Sequence, residues 1–231
     1  MFNLFHNTRR RVGIEISGQA IRFVEVARRG RYERVSAYGT APIASIHPDD
    51  PTLISALTAI GKAVQTKHVS IAVDDPSSAQ QYAKALRKAG LWLDRALPIG
   101  QAVGMASVPA EADSSFLVIH AAAERTDFIV FGPREPIAYI AGDTTPYGIV
   151  SGVNRICIGW YDAHGAKIDH VILVGERAED QMFVDYLVRE TRLLIHRANI
   201  FANMELDPAA VPMIPKKESY RYAAAVGAAL G

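Results

Sequence analysis

Residues 12–26, VGIEISGQAIRFVEV, carry apolar residues on both sides of a small polar centre, Ser17, Gly18 and Gln19. That pattern reads as strand, tight turn, strand. YERVSAYGTA, starting at Tyr32, supplies a third β-rich segment. The same three-part text returns at residues 116–141, FLVIHAAAERTDFIVFGPREPIAYIA, with GPRE as its second turn. A chain that repeats itself is folded from two similar units, so the repeat is worth following.

Each triplet is followed by a helical stretch, DPTLISALTAIGKAVQ from Asp50 and GIVSGVNRICIGWYDAHG from Gly148. Next come two short apolar strands with the same opening dipeptide, HVSIAVDD at 68–75 and HVILVGER at 170–177. Amphipathic helices follow, SAQQYAKALRKAGL at 78–91 and AEDQMFVDYLVRETRLL at 178–194, the latter with Phe183, Leu187 and Leu194 on its apolar side. A short segment, RALPIG or HRANIF, and an Ala-rich helix, QAVGMAS or SYRYAAAVGAALG, close each half. The order βββαβαβα therefore occurs twice, and the alternation alone predicts mixed sheets flanked by helices, an α/β protein.

With 231 residues, 49% of them hydrophobic, the chain can bury a substantial core. Its 25 basic and 24 acidic residues leave a net charge of +1, so no global field recruits nucleic acid or anionic lipid. The single cysteine, Cys157, reads as a small core hydrophobe. No run reaches the roughly 20 apolar residues of a membrane span, and the start, MFNLFHNTRRR, lacks the apolar core of a signal peptide. A cytoplasmic location is expected. Phe2, Leu4 and Phe5 beside Arg9, Arg10 and Arg11 form an expected flexible arm, residues 1–11, suited to a membrane surface or a partner. Residues 12–112 and 113–231 are then the two lobes.

The doubled order resembles the ribonuclease-H-like fold of the actin-like ATPases, whose members bind nucleotide between two α/β halves. Within it the wording is similar to the PilM family of type IV pilus assembly, itself similar to FtsA. The resemblance rests on VGIEISGQAIRFVEV, ERTDFIVF, HVILVG and the tail NIFANMELDP followed by YRYAAAVGAALG, in order across nearly the whole chain. The tail is its most specific part, although Ile200 stands where the family has proline. The links inside each half are too short for the additional subdomain of PilM and FtsA, which predicts a bare two-lobed core with inserted subdomains missing or minimal.

The resemblance implies three nucleotide loops, and all three depart from the family's pattern. Glu15 replaces an aspartate, Ser17 takes a glycine position and Gly18 follows one residue late. With Thr126 and Asp127 aligned on the family's Thr-Asp, His120 takes an acidic position and Ala122 a glycine, which removes a ligand of the kind magnesium prefers and adds a methyl where phosphate approaches. The third loop, Gly175, Glu176 and Arg177, puts two charged side chains where glycines face adenosine in the family. No nucleophile elbow or H-E-x-x-H spacing supplies another catalytic centre, so no catalytic residue, metal site or cofactor is expected. Were a site retained, it would take ATP and Mg²⁺ through Glu15, Ser17, Gly18, Gln19, Arg125, Thr126 and Gly175, with Arg177 stacked on the base.

What the resemblance then implies is an adaptor at the inner face of the inner membrane, gripping the cytoplasmic tail of a PilN-like protein, with self-association as a further mode. The edge strand YERVSAYGTA is the expected docking element, Tyr32, Val35 and Tyr38 offering side-chain pockets to an added strand. A nucleotide-dependent switch or weak ATPase is the alternative. A second alternative is the cytoplasmic platform domain of a type II secretion system, which continues into a membrane helix.

Overall fold

The computed structural model describes residues 8–111, 113–132, 136–168, 170–207 and 213–231. Two five-stranded mixed sheets organise two compact units of α/β type. In the first, β1 (Arg9–Ser17), β2 (Ala20–Arg29) and β3 (Tyr32–Pro42) form an antiparallel meander. Helix α1 (Pro51–Ala63) then leads to β4 (His68–Val73), and α2 (Ala79–Lys88) to β5 (Trp92–Pro98), giving the order β3-β2-β1-β4-β5. β1, β4 and β5 run parallel because helices carry the chain back between them.

Helix α3 (Ile99–Ser107) follows, and the scheme repeats. β6 (Phe116–Ala121), β7 (Thr126–Phe131) and β8 (Pro136–Gly142) make the second meander, α4 (Pro146–His164) leads to β9 (His170–Val174), and α5 (Gln181–Thr191) to β10 (Ile195–Arg197). The order β10-β9-β6-β7-β8 is the first sheet's order over again. A short helix α6 (Lys216–Ser219) and the terminal α7 (Ala223–Leu230) complete the chain.

Local chemistry sets the helix ends. Asp50 caps α1 by accepting the Thr52 and Leu53 amides at 2.8 and 3.4 Å, and Pro51 fits the first turn. Leu53, Ala56, Leu57 and Ile60 then enter the apolar core of the first sheet, where each fully buried Leu or Ile is worth about 1.5–3 kcal/mol. In the second unit Thr145 caps α4, which therefore starts at Pro146 rather than Gly148, and Gly165, at φ +65°, ends it. α7 lies so close on β1 that a Cβ at Gly13 would sit 1.9 Å from Ala225 O. Only glycine permits that packing.

Four expectations change. The basic triplet is not part of an arm: β1 starts at Arg9, and Arg9, Arg10 and Arg11 pair across to Arg28, Ala27 and Val26. Arg10 reaches Glu25 at 3.1 Å and Arg11 pairs with Glu33, so buried acids on β2 and β3 hold two of the three arginines in the sheet. Phe2, Leu4 and Phe5 lie outside the described residues. The units also do not divide at residue 112: the described residues up to 102 form the first unit together with 204–207, 213–215 and 224–231, and the second runs from 103 to 203 with 216–223, so the end of the chain returns to the first unit. Leu194 leaves the apolar face of α5, which ends at Thr191 with Arg192 in the left-handed region, and is 73% exposed. Finally, β3 is an edge strand, but its start is already covered: the Glu33 amide donates to Glu205 O at 2.7 Å and Glu33 bridges to Leu206.

Residues 43–50 connect β3 to α1 and residues 143–145 connect β8 to α4, so no subdomain is inserted at either point.

Candidate functional site

Each unit presents one meander hairpin of the kind expected to grip phosphate. In the first, Ser17 pairs with Ala20, and Gly18 at φ +53° and Gln19 make the turn between them. Three pairs from the turn, Glu15 opposes Arg22. Glu15 is 1% exposed, and its Oε1 accepts from Ser17 Oγ at 2.5 Å and Arg22 Nη1 at 3.1 Å. The carboxylate that would position a metal is thus held by a guanidinium on the neighbouring strand. A cation approaching it must displace or repel Arg22.

The second hairpin is built alike. The Ala122 amide donates to Arg125 O at 2.8 Å and closes a turn through Ala123 and Glu124. Again three pairs from the turn, a base opposes an acid, His120 against Asp127, with the order reversed between strands. His120 Nδ1 lies 3.5 Å from Asp127 Oδ2, and Arg125 Nε donates to Asp127 Oδ1 at 2.7 Å. Asp127 has no exposure; burial pushes its pKa up, but His120, Arg125 and Tyr139 outweigh this and hold it below the usual range. Arg125 also donates to the Tyr139 hydroxyl.

The third loop follows β9. Gly175, at φ +91°, runs against β6: a Cβ there would be 2.5 Å from Ala121 O. This contact places Glu176 beside the β6–β7 turn, where its Oε2 accepts the Ala123 amide at 3.0 Å. Arg177 donates to Thr144 O and stacks over its own Phe183 at 4.1 Å. The structure thus brings His120, Arg125, Thr126, Gly175 and Arg177 into one region of the second unit, while Glu15, Ser17, Gly18 and Gln19 form their own hairpin in the first. Ala122 is half-buried and Thr126 fully buried.

Sequence reasoning missed the partners. Arg22 was legible from the turn, since pairing Ser17 with Ala20 aligns Glu15 with Arg22. The Glu176 to Ala123 bond joins residues far apart in sequence and left no local signal. Also missed was Asn203, whose side chain donates to Met105 O and Val108 O at 2.7 Å each and accepts the Ala110 amide at 2.8 Å, tying the NIFANMELDP segment to the end of α3. Among the described residues no three His, Cys, Asp or Glu side chains gather as a metal site, and no helix is long and apolar enough to cross a membrane.

Neither a scan of family models nor a search of curated proteins returns a match. Solved structures do match, at low identity. The chain is similar to a component of a PilM-PilN type IV pilus biogenesis complex, with TM-score 0.72, 14% identity and coverage of 95% of this chain and 97% of that one. It is also similar to the ethanolamine utilization protein EutJ from Carboxydothermus hydrogenoformans (0.63, 12% identity, 96% and 89% covered). A third likeness is the activator of 2-hydroxyisocaproyl-CoA dehydratase from Clostridium difficile with bound ADPNP (0.53, 12% identity, 96% and 93% covered). The chain has the duplicated actin-like fold. At these identities the likeness carries the fold and no more.

Proposed function

We propose that the chain is an actin-like adaptor that binds the cytoplasmic tail of an inner-membrane assembly protein from the cytoplasmic side, without hydrolysing ATP. The observation that carries the second half is the Glu176 carboxylate on the Ala123 amide. A backbone amide at that turn is the donor a phosphate oxygen would need, and here an internal anion holds it. Glu15, fixed to Arg22 and Ser17, adds the same disadvantage in the first hairpin. The residues therefore fit Mg-ATP poorly. The first half draws its support from the fold shared with a component of the PilM-PilN complex.

The likeness to an ADPNP-bound activator, together with the left-handed Gly18 turn, favours a nucleotide switch as the second reading. One experiment separates them: co-purify the tagged chain from its host with and without added Mg-ADPNP, and identify what comes with it. A membrane protein with a short cytoplasmic tail, recovered equally in both conditions, supports the adaptor. Recovery that depends on nucleotide supports the switch, and recovery of no membrane protein removes the adaptor.

A further inference from the structure

The two sheets have four edges, and three of them are guarded. β3 carries Glu33 and Arg34 and is covered at its start by Glu205. β5 carries exposed Asp94 and Arg95 and ends in Pro98. β10 is three residues long and contains His196 and Arg197. β8 is the least guarded, its one proline, Pro136, standing at its first position and outside the stretch from Ile137 to Ala141. It is seven residues, PIAYIAG, without a charge, and no strand pairs along its outer edge among the described residues. Its inward residues, Ala138 and Ile140, pack on the core, while Ile137 and Tyr139 are 52% and 44% exposed and Ala141 is exposed beside them. An open, uncharged, apolar edge is a template for another strand.

We propose that β8 pairs antiparallel with β8 of a second copy of this chain, joining two five-stranded sheets across a two-fold axis at Tyr139. The strand is its own complement. With Tyr139 on the axis, Ile137 opposes Ala141 of the other copy and Ala138 opposes Ile140, so each large apolar side chain meets a small one on either face. No residue of the strand is charged, so two identical edges approach without the like-charge repulsion that Arg34 would bring to β3, and Arg125, which donates to the Tyr139 hydroxyl, is itself paired with Asp127. An isologous contact of this kind closes on itself as a dimer and goes no further. The inference is independent of the adaptor reading.

Sedimentation velocity of the full chain from about 1 to about 100 µM, a span covering micromolar affinity, tests it. Wild type should shift from monomer to dimer. Ile137→Glu, which sets a carboxylate against Ala141 of the other copy, should weaken the dimer roughly tenfold or more, since a charge at an apolar contact goes unmatched. Adding Ala141→Lys to it should restore the dimer, because the two-fold then places each lysine opposite a glutamate of the other copy. Circular dichroism and melting of both variants confirm folding. A wild type that stays monomeric, or an Ile137→Glu variant with unchanged association, overturns the proposal. So does loss of membrane-partner capture by Ile137→Glu from a monomeric wild type, which would give the edge to a partner's strand.

Discussion

Glu176 and Ala123 are joined by a 3.0 Å hydrogen bond from a turn amide to a carboxylate oxygen, so the third loop ends on the hairpin that would otherwise face an anion. Removing that carboxylate frees the amide. Glu176→Ala should therefore gain a thermal shift with Mg-ADPNP that wild type lacks, and should lose about 1 kcal/mol of stability without ligand. A wild type that already shifts as much as the variant would show that Glu176 does not compete with phosphate.

Glu15 and Arg22 form the buried pair of the first hairpin. Arg22→Ala leaves a carboxylate without its cation and should cost about 3–5 kcal/mol in urea unfolding. Adding Glu15→Gln should recover a sizeable part, because the orphaned charge disappears with it. If the double variant is no more stable than Arg22→Ala, the pair is not what holds the hairpin.

The fold was legible in the sequence because its pattern was written twice, and a strand-turn-strand followed by an amphipathic helix leaves periodic apolar residues that local reading finds. The candidate site was legible only in part. His120, Arg125 and Gly175 stood out by position, but what they do depends on partners brought by the sheet, Asp127 across the ladder and Ala121 beneath the third loop. The start of β1 was missed for the same reason: three consecutive arginines read as solvated until Glu25 and Glu33 appear beside them. The cover on β3 was missed because Glu205 lies at the far end of the chain.

Acid should unfold the protein earlier than its net charge suggests. Burial pushes Glu25 up, yet Ser36, the Gln65 and Thr66 amides and Arg10 outweigh it and leave its pKa below the ordinary 4.5; Asp127 likewise lies below 3.8. Groups whose folded pKa is depressed stabilise the native state above the unfolded pKa and lose that contribution as pH falls through the folded value. Stability should therefore be level near neutrality and decline progressively below about pH 4.5. Glu25→Gln should lower the neutral plateau and flatten the decline. An unchanged slope would mean Glu25 titrates alike in both states.

ATP hydrolysis is expected to stay at background with Mg²⁺ present, and the hairpins say what restoration must include. Exchanging His120→Asp, Ala122→Gly and Ser17→Gly alone leaves Arg22 on Glu15 and Glu176 on the Ala123 amide, and the Ser17 change also removes a donor to Glu15. The triple variant should bind Mg-ADPNP less well than the same variant carrying Glu176→Ala, as read by calorimetry. Clear magnesium-dependent turnover by wild type would refute the non-hydrolysing reading directly.

The remaining prediction concerns where an extended tail would lie on the first unit. The Glu33 amide already donates to Glu205, so the start of β3 is closed and a strand added to this edge would have to run along Val35 to Pro42. Val35 lies two residues beyond Glu33 on the same edge, and its amide alternates to the same outward side before the bulge at Ser36. Val35→Pro deletes that donor, at some cost in stability because Val35 is itself buried. Tyr32→Ala removes only a half-buried side chain nearer the closed end. If the tail docks by strand addition on β3, Val35→Pro should abolish its capture while circular dichroism remains native, and Tyr32→Ala should leave capture within about threefold, the scale of a surface contact worth a few tenths of a kcal/mol. Undiminished capture by folded Val35→Pro would move the tail off this edge.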